Sequence, residues 1–222
     1  MSRPIAVLRP EPGNRVTASA IEAAGRTAIR LPLFTARPVP WTLPDPAGFD
    51  ALLLTSANAV RHGGPQLDAL LGLPVYAVGH VTAEAARRID LAIAHIGTGG
   101  ATELVAAAEA AGVRRALLLG GRDRMLGASG VVAQAITVYA SEALEIEPER
   151  AVRLRGAIIL VQSARAGARL AELAPPHTRA ITTIAAISAR AAEAAGPGWR
   201  RIEIAADTRP DTLIELALQL AD

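Results

Sequence analysis

Residues able to do chemistry gather where short apolar runs end. "LTSAN" places Thr55, Ser56 and Asn58 at such an end, and "VGHVT" places Gly79, His80 and Thr82. "LGGRDR" contributes Gly120, Gly121, Arg122 and Arg124; "QSARAG" contributes Ser163, Ala164, Arg165 and Gly167; "ISAR" contributes Ser188 and Arg190. A small residue or hydroxyl at a strand end lets an anion approach the free N–H groups of the next helix, where the dipole also favours negative charge. The same hydroxyls suit helix N-caps, each contributing about 1 kcal/mol. Recurrence of the pattern in both halves makes a wholly structural explanation less complete.

Two side chains stand apart. Tyr139, in "AITVYAS", is one of only 2 tyrosines and is expected at the end of a strand. A phenol there donates a proton or hydrogen bond to a leaving hydroxyl, or else merely fills the core. Arg9, in "VLRPEPGN", is either a surface charge or an anion clamp, since the guanidinium fork matches carboxylate and phosphate.

Familiar catalytic signatures are missing. The chain has no GxxxxGKS/T, HExxH or GxSxG, and "GTGGAT" fails GxGxxG because Thr102 stands where the last glycine should be. His62, His80, His95 and His177 lack metal-ligand spacing, and with 0 Cys there is no thiolate site. Neither a metal nor a cofactor is expected.

The elements that must position these corners follow from composition and spacing. With 222 residues, 51% of them hydrophobic and 3% aromatic, the chain can bury a large core of Ala, Leu, Ile and Val. All 23 basic residues are Arg, yet the net charge is only +2 and stacking aromatics are few, so nucleic acid is not an expected partner. No apolar run is long enough for a membrane span or signal peptide, and the lack of Cys fits a reducing cytoplasm. Apolar runs predict strands at 5–8, 28–33, 51–55, 75–78, 92–96, 116–119, 136–139, 157–161, 181–187 and 201–204, alternating with helically spaced segments such as "TELVAAAEAAG". This is an α/β chain with parallel sheets covered on both faces.

The corners also repeat. "LTSANA" matches "VQSARA", placing Ser56 against Ser163, and Ile29 matches Ile136, Gly79 matches Ser188 and Thr102 matches Thr212 at nearly one spacing. Such order implies an internal duplication of a five-stranded α/β unit. The cut lies either near residue 112, or the ends form one domain around an inserted middle; the repeats allow both.

Together "VLRPEPGN", "PLF" with a following Trp, "DALLLTSANAVR", "LPVYAVGHVTAEAAR", "AITVYAS", "ILVQSARAG", "IAAISARAAEAAG" and "PDTLIELALQL" resemble the uroporphyrinogen-III synthase family, in the family's order and over nearly the whole chain. The resemblance implies two similar flavodoxin-like parallel-sheet domains, residues 1–34 plus 145–222 and residues 42–135, with connector strands at 35–41 and 136–144 and a cleft between the domains. It implies a cofactor-independent lyase that cyclises hydroxymethylbilane, an acidic linear tetrapyrrole, with loss of water and inversion of the last pyrrole through a spiro intermediate. Tyr139 matches the connector tyrosine that would assist departure of the hydroxyl, and Thr82 matches a family threonine at the cleft, where it would bind the substrate. Arg9, Thr55, Ser56, Asn58, Gly79, His80, Gly121, Arg122, Ser163, Ala164, Arg165 and Ser188 would receive the acetate and propionate groups. The expected state is a cytoplasmic monomer with a small-molecule substrate. A non-catalytic two-lobed binding protein for an acidic small molecule is the alternative, though such proteins are usually exported; a Rossmann enzyme lacks its glycine fingerprint.

Overall fold

The computed structural model describes residues 2–124 and 126–222. The elements run β1 (Ile5–Val7), α1 (Gly13–Ala23), β2 (Ala28–Arg30), β3 (Phe34–Pro38), β4 (Ala51–Leu54), α2 (Ala57–His62), β5 (Val75–Val78), α3 (Gly79–Arg87), β6 (Ile93–Gly97), α4 (Ala101–Ala110), β7 (Ala116–Gly121) and β8 (Val132–Ala143). There follow α5 (Pro148–Val152), β9 (Ile158–Val161), α6 (Ala164–Leu173), α7 (Pro176–Arg179), β10 (Thr183–Ala186), α8 (Ala189–Ala194), β11 (Arg201–Ile204) and α9 (Pro210–Ala221).

Contacts divide the chain into one unit of Met1–Thr35 with Ala143–Asp222 and a second of Ala36–Glu142. The first holds a sheet ordered β11-β10-β9-β1-β2, and the second a sheet ordered β3-β8-β7-β4-β5-β6. Within each, the strands from β11 to β2 and from β8 to β6 pair parallel. Matched at β9 and β4, the strands bearing the repeated serine corner, β1 corresponds to β7 and β2 to β8. The two sheets are thus one spatial arrangement assembled in two chain orders. In the first unit the β-α-β piece comes first and the three-strand piece last; in the second that order is reversed.

Apolar strands bury both faces, as parallel sheets require. Ala51, Leu52, Leu53 and Leu54 of β4 are all fully buried. Leu52 and Leu54 pack with Ala59, Ala83 and Ala86 on one face, while Ala51 and Leu53 pack with Leu104 and Ala108 on the other. The alanine-rich helices allow close approach. At Gly167 of α6 a Cβ would lie 2.6 Å from the Ala191 carbonyl oxygen of α8, so this glycine of the "QSARAG" corner serves helix packing.

Three expectations are corrected. The second sheet has six strands rather than five, because β3 adds an edge beside β8, with the Val39 N–H donating to the Val138 carbonyl at 3.0 Å. The strand read as 136–139 extends over Val132–Ala143, so Tyr139 sits in its interior rather than at its end. The polar residues Gln134, Thr137 and Ser141 hid its length, for they interrupt the apolar run while the backbone ladder continues. Finally, α3 begins at Gly79 directly after β5, which carries Thr82 into the helix; it is 4% exposed and does not stand at the strand end.

Candidate functional site

In open parallel sheets, ligands collect outside the carboxyl ends of the strands where the strand order reverses. The first unit reverses between β1 and β9, the second between β7 and β4. Each of these points carries a cavity.

At the β7–β4 point a cavity of about 160 Å³ is lined by Thr55, Ser56, Gly121, Arg122, Asp123, Arg124, Tyr139 and Ser141. Thr55 and Ser56 follow β4 directly, and Ser56 caps α2, its Oγ accepting from the Asn58 N–H at 3.2 Å. The Asn58 side chain is turned to Arg61, whose Nη1 donates to Asn58 Oδ1 at 3.1 Å. Arg122 is exposed, and its backbone N–H donates to the Tyr139 carbonyl at 2.9 Å. Arg124 turns the other way. It donates from Nη1 to the Gly121 carbonyl at 3.2 Å and to Thr137 Oγ1, and from Nη2 to the Ala135 carbonyl at 3.2 Å. That guanidinium therefore buckles the end of β7 to β8. Tyr139 is half-buried against the β7 end, with its ring centroid 6.2 Å from that of His62. Burial, and then the charge of Arg61, lower the His62 pKa from its ordinary value.

At the β1–β9 point a cavity of about 270 Å³ is lined by Leu8, Arg9, Pro10, Phe34, Gln162, Ser163, Ala166, Ile187 and Pro210. Ser163 caps α6, its Oγ accepting from the Ala166 N–H at 3.1 Å. Arg9 lies across the first turn of α1, where a Cβ on Gly13 would meet its Cζ at 2.7 Å. Among the described residues its side chain has one hydrogen bond, the 3.5 Å contact from Nη1 to Thr17 Oγ1, and burial lowers its pKa. A half-desolvated guanidinium held by a hydroxyl rather than a carboxylate is suited to an anionic ligand. Arg165 stacks over the Phe34 ring, with Cζ 4.5 Å from its centroid.

The structure thus brings Thr55, Ser56, Gly121, Arg122 and Tyr139 into one cavity and Arg9 and Ser163 into the other. Asn58, Gly79, His80, Thr82, Ala164, Arg165 and Ser188 stand outside both linings. Gly79 opens α3 at φ +74°, His80 is exposed on its first turn, and Ser188 caps α8 through the Ala191 N–H at 3.3 Å. Of the corner hydroxyls, Ser56, Ser163 and Ser188 are helix N-caps, whereas Thr82 lies inside α3.

Sequence reasoning missed Asn14. It is fully buried, with Nδ2 donating to the Val7 carbonyl at 2.7 Å and the Arg9 carbonyl at 3.1 Å, and with Oδ1 accepting from Arg30 Nε at 3.2 Å. It fixes the loop that carries Arg9. The one available signal was an asparagine in the opening turn of a helix, directly after a strand-end Pro-Gly. Asp123 and Ser141 also line the second unit's cavity without having been singled out. Among the described residues no cluster of His, Cys, Asp and Glu could hold a metal, and no helix is long and apolar enough to cross a membrane.

Comparison with known proteins gives one family. A family model described as uroporphyrinogen-III synthase HemD matches residues 15–215. No curated protein sequence matches the chain. Among solved structures, the uroporphyrinogen-III synthetase of Helicobacter pylori aligns with a TM-score of 0.66 at 19% identity, covering 98% of this chain and 99% of its own. A selenomethionine-substituted mutant of uroporphyrinogen III synthase from the extremely thermophilic bacterium Thermus thermophilus aligns with a TM-score of 0.48 at 17% identity, covering 99% and 100%. At such identities the Helicobacter likeness bears on the fold.

Proposed function

The chain belongs to the uroporphyrinogen-III synthase family, and we propose how its own residues carry out the family's reaction. In that reaction hydroxymethylbilane loses its terminal hydroxyl as water, the resulting azafulvene is attacked at the substituted carbon of the last pyrrole, and the spiro intermediate fragments and recloses with that ring inverted. This is a cyclising lyase activity.

The observation that carries the residue assignment is Tyr139, a half-buried phenol at the strand-end cavity of the second unit, beside Gly121, Thr55 and Ser56. It donates a hydrogen bond or proton to the leaving hydroxyl, and the oxygen departs as water. The backbone N–H groups at the Ser56 and Ser163 corners, together with Arg122 and Arg9, receive substrate carboxylates. Ala164 does the same beside Ser163, and Gly79, His80 and Ser188 do so at neighbouring strand ends. Arg165, stacked over Phe34, and Asn58, bonded by Arg61, stand beside these corners outside the cavity linings and meet substrate carboxylates from there. Thr82, inside α3, acts through its packing. The protein's task is geometric: hydroxymethylbilane closes unaided to the uninverted isomer, so rate and outcome both depend on holding one conformation. A cysteine-free chain is suited to the reducing cytoplasm, where we place its action, as a monomer.

The test generates hydroxymethylbilane in situ, adds purified protein, then oxidises the products and separates the porphyrin isomers. A dominant type III isomer supports the reading; type I alone at the uncatalysed rate overturns it and moves the binding-protein reading to first place.

A further inference from the structure

The Gly120–Gly121 end of β7 offers more than open approach to a ligand. Between these residues the register with β8 shifts: Gly120 pairs with Thr137 and Gly121 with Tyr139, leaving Val138 as an extra residue. An irregularity of this kind re-aims the side chain that follows it. Val138 enters the core, fully buried, and the Tyr139 ring lies back over the end of β7. A Cβ at Gly121 would stand 2.7 Å from Tyr139 Cζ, 2.9 Å from its hydroxyl oxygen and 3.0 Å from Cε2. These distances are inside van der Waals contact, so the ring occupies the space a side chain at 121 would fill. Gly121 is not among the residues with positive φ, which means that packing, rather than backbone conformation, excludes a side chain there. The backbone beneath the ring is fixed by the Arg122 N–H to the Tyr139 carbonyl at 2.9 Å and by the Arg124 buckle to Gly121, Thr137 and Ala135.

We propose that Gly121 is a positioning residue: it is the bare seat on which the Tyr139 phenol rests, and it sets where the hydroxyl meets the leaving group. The inference rests on the reading of Tyr139 as the group that meets that hydroxyl. Because alanine adopts the backbone at 121 without strain, Gly121→Ala adds one methyl group and displaces chiefly the ring. A displacement on the order of 1 Å at a reacting group can lower turnover by as much as about 100-fold.

The experiment combines steady-state kinetics of Gly121→Ala, Tyr139→Phe and the double variant with spectra of 13C-tyrosine-labelled protein. The chain has 2 tyrosines, Tyr76 and Tyr139, so loss of one ring signal in Tyr139→Phe assigns both. The expected result is a kcat for Gly121→Ala at least about tenfold lower with KM near that of the parent, no further loss when alanine is added to Tyr139→Phe, and movement of the Tyr139 ring signal alone. Parental kcat in Gly121→Ala, losses that multiply in the double variant, or an unmoved ring signal would overturn the proposal. Slow Tyr139→Phe beside fast Gly121→Ala removes only the role of Gly121, whereas fast Tyr139→Phe removes the role of Tyr139 and this inference with it.

Discussion

The strand-end corners at β1–β9 and β7–β4 occupy equivalent places in equivalent sheets, yet they are furnished differently. Each has a serine capping the helix after its central strand, Ser163 in one and Ser56 in the other. Each has an aromatic ring contributed from just beyond, or within, the strand next to the reversal: Phe34 after β2, Tyr139 within β8. The connections differ most. Between β1 and β2 the chain forms the 11-residue α1, and Asn14 inside it pins the strand end. Between β7 and β8 there is no such helix among the described residues, and Arg124 does the pinning through its fork. One corner therefore carries a half-buried cation over a helix turn with a phenyl ring, the other a phenol on a bare glycine. Under the proposed reading both corners receive carboxylates, and Tyr139 of the second is the side chain that meets the leaving hydroxyl.

That division is broken most directly by exchanging the rings. Tyr139→Phe is expected to lower kcat about 100-fold, the lower end of what a positioned general acid contributes, while Phe34→Tyr leaves turnover near the parental value and does not rescue Tyr139→Phe. Isomer-resolved initial rates check both. Equal rates for Tyr139→Phe and the parent would make the corners functionally alike, and Ser56→Ala is the companion control, expected to slow turnover less than Tyr139→Phe.

The next largest effect compares the two pins. Asn14→Ala leaves the Val7 and Arg9 carbonyls without their side-chain donor at a buried position, at a cost of about 1–3 kcal/mol. It also loosens the loop of Arg9, so KM rises with it. Arg124→Met removes the second buckle, and because that buckle underlies Tyr139, its loss appears in kcat. Denaturant midpoints together with the KM and kcat split separate the two; a rise in KM alone for Arg124→Met would contradict the assignment.

Strands were legible wherever apolar runs were continuous, as in "ALLL" and "IILV", and the repeated Ser-Ala corners marked the serines that cap α2 and α6. What the pattern hid was whatever depends on a neighbour far along the chain. Tyr139 looked terminal because polar residues interrupt β8, and its orientation depends on a register shift against β7 that no local signal records. Arg124 and Arg122 look alike in "LGGRDR", yet the side chain of Arg124 meets β8 at the Ala135 carbonyl and the Thr137 hydroxyl while Arg122 is exposed. Gly121 reads as a ligand approach in isolation, and its contact with Tyr139 is tertiary. Thr82 misled because a helix that starts directly after its strand leaves no loop to carry a hydroxyl.

A smaller effect distinguishes capping from binding at the two serines. Ser56→Ala and Ser163→Ala each remove an N-cap and should cost about 1 kcal/mol of stability, whichever corner takes the larger share of substrate. If the hydroxyls also meet carboxylates, KM rises in addition. Thermal midpoints of the two variants, read beside their KM values, give both contributions, and equal midpoints to the parent would remove the capping account.

The smallest expected effect is on pH dependence, and it too differs between the units. In the second unit, His62 beside Tyr139 has its pKa lowered from 6.5 by burial and by Arg61. Between the folded and unfolded values the unfolded chain binds the proton first, so this contribution is present above about pH 6.5 and is lost as pH falls below it. In the first unit, burial raises the Glu11 pKa, but the hydrogen bond from Arg30, the Arg15 backbone N–H and the charges of both arginines outweigh it and hold it below 4.5. Its contribution is full above about pH 4.5 and fades as pH falls through the folded value. His62→Gln should flatten the stability profile just below pH 6.5 and spare the more acidic step, while Glu11→Gln does the reverse. The two windows open at different pH because the ordinary values are 6.5 and 4.5, and one group loses stability by gaining a charge against burial while the other loses it by giving up a charge its arginines were holding.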